Sequence, residues 1–466
     1  MTNTAEAPKT NDASSALSRG KEKKHFQVIE KTYRNNVDSD YTEKIEALGK
    51  SYNYSSNSDY YWGDPELSTL HGTPLYEEAS PSQKRALNHL YWIGQYHYTA
   101  ASEINTILYN QVTSGVFANV GGYETLCKEL DFETSQERYH INAFQKIGYK
   151  TKLALLGKES LGNPLYKKLN KPSGRSFLDR FNPQKQLKQI ASLKASSSWE
   201  SLQESTLRSL TKMMFRDKAD YYSHYLEQKG TQTIPTTAGG LAGNMASPSV
   251  LKFLTLNWGS SPFLAAQYYS ARMIANMYLK NREYRYYKHF KDLEKNGEFI
   301  PAPIAISYYH MLDESFHTTM SQTISQDVYK DFPKPTVYEK LLANVIIYVT
   351  QRGVLGGLPG GLPAVFRDDA SFMPSYYRSL TSPLFGMSSQ EALHWMEKCL
   401  CQEHEGFHVN LKYHQILLSD LRRFFDRLDY LWPINREMRI MAAGGSIERA
   451  IQRNVAAFKQ FASSVA

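Results

Sequence analysis

Residues 310–317 read HMLDESFH. On a helix of 3.6 residues per turn, His310, Glu314 and His317 stand at i, i+4 and i+7, on one narrow stripe. Two imidazoles and a carboxylate pointing the same way can ligate a metal ion. Buried without one, each would need its own polar partner. A second Glu-x-x-His occurs at ERYH, Glu137 to His140. A single carboxylate precedes each motif: Glu103 in ASEIN and Glu283 in NREYRYY.

The order is therefore Glu, Glu-x-x-His, Glu, Glu-x-x-His, which is the ligand plan of ferritin-like di-iron bundles. Two divalent ions a few ångströms apart repel each other, so carboxylates are needed to bridge and neutralise them. The imidazoles add neutral donors that suit iron. On this reading Glu137 and Glu314 bridge. Glu103 and His140 complete one ion, and Glu283, His317 and the additional His310 complete the other. Asp313 serves as an acceptor that fixes a histidine ring. Glu204 and Glu227 compete with Glu283 for its role. A third Glu-x-x-His, EGFH with Glu405 and His408, is read as structural. Any one of these residues alone is more often an ordinary polar group, and the set as a whole argues for a metal site.

Positioning such a set requires long helices, and helical periodicity dominates the chain. The pattern predicts helices over 82–112, 133–156, 199–228, 262–293, 303–327, 337–350, 389–428 and 446–463. Ser80 can cap the first, with Pro81 in its opening turn. Gly157 can end the second. Glu103, Glu137 and His140, Glu283, and His310 to His317 then fall on four different helices. Two Gly-rich runs, 233–249 and 353–366, read as loops; neither carries a phosphate-binding pattern. The predicted fold is all-α: a ferritin-like di-iron bundle over 76–330 with an insertion around 157–260. Residues 1–25 read as a disordered polar tail, 26–75 as an N-terminal extension, and 331–466 as peripheral helices packed on the bundle.

The 466 residues are 41% hydrophobic, enough for a large core. No run of about 18 apolar residues predicts a membrane span. The opening stretch lacks the apolar region of a secretory signal. With three cysteines, Cys127, Cys399 and Cys401, in no metal or redox spacing, the expected compartment is a reducing cytoplasm. The net charge of +8 is uneven: residues 166–194 hold eight Lys or Arg against Asp179 alone. That segment reads as a solvated surface or as a docking patch for an acidic carrier protein. No nucleic-acid motif accompanies it.

Glu103, Glu137-x-x-His140, Glu283 and His310-x-x-Asp313-Glu314-x-x-His317 resemble the p-aminobenzoate N-oxygenase family of di-iron proteins, over roughly residues 76–327. The third histidine, His310, is the distinguishing feature. The long N-terminus, the wide gap between His140 and Glu283 and the extended C-terminal part resemble the branch containing the cylindrocyclophane-type dimetal-carboxylate halogenases. The resemblance implies two iron ions, with manganese an option at one position, dioxygen as cosubstrate, and electrons from a reductase or ferredoxin. It implies an enzyme of natural-product biosynthesis that chlorinates an unactivated carbon of a fatty acyl group, with chloride and an acyl carrier protein as partners. The alternatives are N-oxygenation of an arylamine, hydroxylation at the same centre, or a ferritin-like metal-binding protein without catalysis. A homodimer is compatible with all of them. The apolar runs 253–267 and 341–349 are expected to line a channel for the acyl chain, or else to be core.

Overall fold

The structure is a computed structural model, and it describes residues 23–158, 206, 209, 248–354, 358 and 369–465. Two helices in the N-terminal extension come first, α1 (Lys24–Asp38) and α2 (Thr42–Ser51), followed by a loop and the short α3 (Pro74–Glu78). Ser80 then starts α4 (Pro81–Val120) with a complete capping box. Its hydroxyl accepts from the Gln83 N–H at 3.3 Å, and the Gln83 side chain accepts from the Ser80 N–H at 3.0 Å. Gly121, at φ 75°, ends α4, and Gly157, at φ 76°, ends α5 (Glu124–Leu156). α6 (Pro248–Trp258) leads to α7 (Pro262–Asn296), capped by Ser261, and then to α8 (Ala302–Gln326).

α4, α5, α7 and α8 form the bundle. Each crosses the same two apolar layers. One layer holds Trp92 and Tyr96 of α4, Phe144 and Ile147 of α5, Tyr286 of α7 and Ile306 of α8. The other holds Phe117, Leu130, Tyr268 and Met320 in the same helix order. Following the chain, α4 and α8 run from the first layer to the second, while α5 and α7 run from the second to the first. Helices α5 and α7, consecutive within the bundle, are thus parallel, so the 105 residues between Leu156 and Pro262 must return across its length. One such crossover characterises ferritin-like bundles. Between the two layers, all four helices carry the polar residues singled out above.

The remaining helices cover the bundle unevenly. α1 and α2 both pack on α5 and α8 and close that side. α9 (Val337–Val354) packs on α7. α10 (Asp369–Thr381), α11 (Ser389–Leu400), α12 (Glu405–Phe425), α13 (Pro433–Arg436), α14 (Arg439–Gly444) and α15 (Ile447–Val465) complete the C-terminal part. There α10, α11 and α15 pack together, and α12 lies against α7.

Among the described residues there is no strand, and no helix is long and apolar enough to cross a membrane. The all-α expectation holds. One predicted helix, 389–428, is two, because Cys401 to His404 breaks it. His404 caps α12 by accepting from the Gly406 N–H at 3.1 Å. Gly406 itself sits so close to the His71 carbonyl that a Cβ there would lie 2.9 Å from that oxygen. The sequence reading missed α1, α2, α6 and α10, the last disguised by Pro374 within it, besides the short α3, α13 and α14. The tail up to residue 22, the predicted helix 199–228 with Glu204 and Glu227, the 166–194 basic segment and most of both Gly-rich runs lie outside the described residues.

Candidate metal centre

The polar belt brings together side chains separated by more than 200 residues. Glu103 from α4, Glu133, Glu137 and His140 from α5, Glu283 and Arg272 from α7, and His310, Asp313, Glu314 and His317 from α8 are all buried. Two groups could each hold an ion: Glu103, His140, His310 and Glu314, and beside it Glu133, Glu137 and His317. Two carboxylates stand between the groups. Glu314 Oε1 lies 3.7 Å from His310 Nε2 and 2.9 Å from His317 Nδ1. Glu137 reaches His140 Nδ1 at 3.4 Å and His317 Nδ1 at 3.5 Å.

Each histidine turns one nitrogen into the site and the other to a fixed partner. His140 Nε2 meets Asp313 Oδ2 at 3.2 Å, leaving Nδ1 facing Glu103 and Glu137. His317 Nε2 meets Gln136 Oε1 at 2.9 Å, leaving Nδ1 facing the carboxylates. His310 Nδ1 meets Glu283 Oε1 at 2.6 Å, leaving Nε2 toward Glu103 at 3.0 Å. Outer partners of this kind set the tautomer and aim of ligating imidazoles. Two of the three come from the residue before a Glu-x-x-His glutamate: Gln136 before Glu137 serves His317, and Asp313 before Glu314 serves His140.

Electrostatics point the same way. Six buried carboxyl side chains (Glu103, Glu133, Glu137, Glu283, Asp313 and Glu314) surround one arginine and three histidines. Burial, reinforced by Glu137, raises the Glu103 carboxyl to about 7. Burial opposes charge on the histidines and His310 repels His140. The carboxylates nevertheless lift His140 to about 9 and His317 to about 10, and hold His310 well above its ordinary value. Burial would raise Glu314, but His317, His310 and Arg272 hold it well below the carboxylate range. Protons on imidazoles thus balance a concentrated negative charge, and divalent cations would replace them. Glu103 Oε2 and Glu133 Oε2 are buried with no hydrogen-bond partner. Such orphaned oxygens are costly without a cation, so the donor set fits metal.

The sequence reading placed Glu103, Glu137, His140, His310, Glu314 and His317 within one centre, and the structure gathers all six. Two details differ from the assigned roles. His310 stands with Glu103 and His140, rather than with His317. Glu283 lies outside both groups, where it accepts from the Tyr96 hydroxyl at 2.8 Å and orients His310. Glu133 was not counted as a ligand. Its signal was present: Glu133 precedes Glu137 by four residues as His310 precedes Glu314. It is ion-paired with Arg272, which also reaches Glu137 at 3.3 Å. Glu405 and His408 are exposed and remote from the centre, with His408 paired to Glu403 at 3.0 Å.

A cleft open to solvent reaches the centre between α4 and α7. Glu103, Glu137, Glu314 and Arg272 form its floor; Tyr98, Thr99, Ala275, Tyr278 and Leu279 are among its walls. The apolar runs 253–267 and 341–349 do not line it. Phe253, Phe263, Leu342 and Ile346 belong instead to the apolar layer that also holds Tyr268 and Tyr430.

Bundle and belt together define an all-α protein with a buried carboxylate–imidazole centre open to a cleft. The chain belongs to the acyl halogenase CylC-like family, whose match spans residues 24–462, from the start of α1 into α15. That membership makes it an enzyme of a halogenase class. No curated protein and no solved structure matches it.

Proposed function

We propose that this chain holds two iron ions in the belt and uses dioxygen and chloride to replace a hydrogen at an sp³ carbon of a fatty acyl substrate. The observation that carries the proposal is the pair of adjoining ligand groups, floored by Glu103, Glu137 and Glu314, at the end of a cleft in a chain of the acyl halogenase family. The metal pair would supply the oxidation of the substrate C–H bond. Glu103, Glu133, Glu137, His140, His310, Glu314 and His317 would hold it. Asp313, Gln136 and Glu283 would keep the imidazoles aimed. In the overall balance, a C–H bond and a chloride ion give a C–Cl bond and a proton, releasing two electrons. Dioxygen takes those two and two more from an external donor, becoming water.

The wall residues suit a chain-like substrate. The cleft follows α4 from Gln95 to Thr106, about 16 Å at the helical rise. Tyr98, Tyr278 and Leu279 exclude water along it, so the carbon to be modified enters a dry site. The basic composition of residues 166–194 suits an acidic carrier that delivers the acyl group. The test is to incubate iron-loaded protein with dioxygen, reductant, chloride and a panel of free and carrier-bound acyl substrates. A product heavier by chlorine in place of hydrogen, and by bromine when bromide replaces chloride, is expected. Nitroarene formation from an arylamine, with no halide-dependent acyl product, would overturn the reading.

A further inference from the structure

Arg272 and Asn276 occupy successive turns of α7, and both face the α4–α7 cleft. They are 3% and 7% exposed. The guanidinium Nη groups of Arg272 engage Glu133 and Glu137. Its Nε and the Nδ2 of Asn276 are buried with no hydrogen-bond partner. Both atoms can only donate, so what they lack is an acceptor, and both residues line the cleft. Buried donors are rarely left unpaired in folded proteins. Two of them one turn apart, one on a permanent cation, describe a receptor for a small anion.

We infer that Arg272 Nε and Asn276 Nδ2 form the halide site of this enzyme, beside Glu137 and Glu314. The inference rests on the halogenase reading for its choice of anion, and on the unpaired donors for its location. A spherical halide can accept from both N–H groups at once and needs no donor in return. The neighbouring carboxylates repel an anion while the centre lacks metal. Cations on Glu133, Glu137 and Glu314 cancel that repulsion, so halide binding depends on metal loading. Ala275 and Leu279, on the same stretch of α7, keep the bound ion from full hydration. An ion held here lies next to the centre and at the substrate's end of the cleft, where the halogen must be transferred.

The test uses full-length protein loaded anaerobically with ferrous iron, and bromide as probe. Anomalous scattering from bromide-soaked crystals should place a peak within hydrogen-bonding distance of Arg272 Nε and Asn276 Nδ2. Bromide affinity, read from the line width of the free ion in solution, should fall about tenfold or more in Asn276→Leu, the cost of one hydrogen bond to a charged acceptor. Metal content should stay at the wild-type level. Asn276→Asp, which adds a negative charge, should abolish binding and decides the matter if the leucine variant does not fold. A bromide peak elsewhere, or unchanged affinity in both folded variants, overturns the site. Halogenated acyl product with the halide bound elsewhere overturns the site and leaves the reaction standing. Bromide on Arg272 and Asn276 without any halogenated product leaves the site standing and overturns the reaction.

Discussion

Asn36 does not line the cleft, yet the structure ties it to His317 of the candidate metal centre. It lies on α1, fully buried, and donates to Glu129 Oε1 at 2.9 Å and to Gln136 Oε1 at 3.2 Å. It accepts from Gln136 Nε2 at 3.0 Å. The Gln136 amide is therefore held with its oxygen toward His317 Nε2, which directs His317 Nδ1 into the centre. Asn36→Leu keeps the volume and removes all three bonds. Burial has already lifted the Glu129 carboxyl to about 7, offset in part by the Asn36 bond. Leaving buried polar groups unpaired costs about 1–3 kcal/mol each, so a loss of about 2–5 kcal/mol in unfolding free energy is expected by urea denaturation. The metal effect is separate. A freed Gln136 amide loosens His317, and loss of such an outer partner lowers metal affinity about 10–100-fold. Ferrous titration should show one weakened ion, the one served by His317. Ile29→Ala on the same helix, also buried, is the control. It should cost about 2–5 kcal/mol by cavity formation and leave both ions unaffected. If Asn36→Leu loses stability but binds both ions as tightly as Ile29→Ala does, the bond from α1 to the centre is structural only and the reasoning fails.

Wild-type protein should approach two equivalents of ferrous iron, and Glu314→Ala should lose at least about one of them, because Glu314 stands between histidines of both groups. Glu405→Ala, on an exposed helix start, should retain both; metal analysis after desalting decides, and the reverse result would reassign the centre. Asp331 accepts from Lys23, His25 and the Tyr123 hydroxyl at 2.7, 2.8 and 2.9 Å, and against the opposing effect of burial these bonds hold its pKa below the ordinary value. Its contribution is present above the unfolded carboxyl pKa and is lost as pH falls through the folded one. Asp331→Asn should thus cost about 1–2 kcal/mol at pH 7 after screening at the exposed Lys23, and the gap from wild type should close in the acid limb of a urea series. A constant gap across pH would refute the ionic origin.

The belt was legible because its signals are local. Glu137 and His140, or Glu314 and His317, share a helix face at fixed spacing, and helix period alone puts them on one stripe. Caps were legible for the same reason, as at Ser80 and Gly157. What escaped depends on tertiary placement. Nothing in the sequence around Glu283 distinguishes a carboxylate that ligates from one that stands behind His310, since both must be buried on α7 and differ by the rotation of one helix. Glu133 was not counted as a ligand, since a glutamate on a helix is most often solvated. Gln136 and Asn36 carry no metal-ligand signature at all; only the packing of α1 on α5 makes them partners. The apolar runs 253–267 and 341–349 could not be told from channel lining by hydrophobicity, because a core and a dry channel demand the same residues.

The two sides of the bundle explain why those residues had to differ. On the α5–α8 side, α1 and α2 seal the belt, and the contacts there are made by the outer nitrogen of His317 through Gln136 and Asn36. That side holds the imidazoles rigid. On the α4–α7 side no helix among the described residues covers the belt at the cleft, and the residues that line it include Glu103, Glu137, Glu314, Arg272 and Asn276. Carboxylates can change between one-oxygen and two-oxygen ligation as charge develops, whereas an imidazole fixed through its second nitrogen cannot. On the proposed function, substrate and halide would approach the adaptable half of the ligand set, while the fixed half is anchored to an N-terminal helix that the family match includes from residue 24. This division predicts where truncation would be felt: removing α1 should loosen the histidine side and cost metal, while leaving the residues that line the cleft in place.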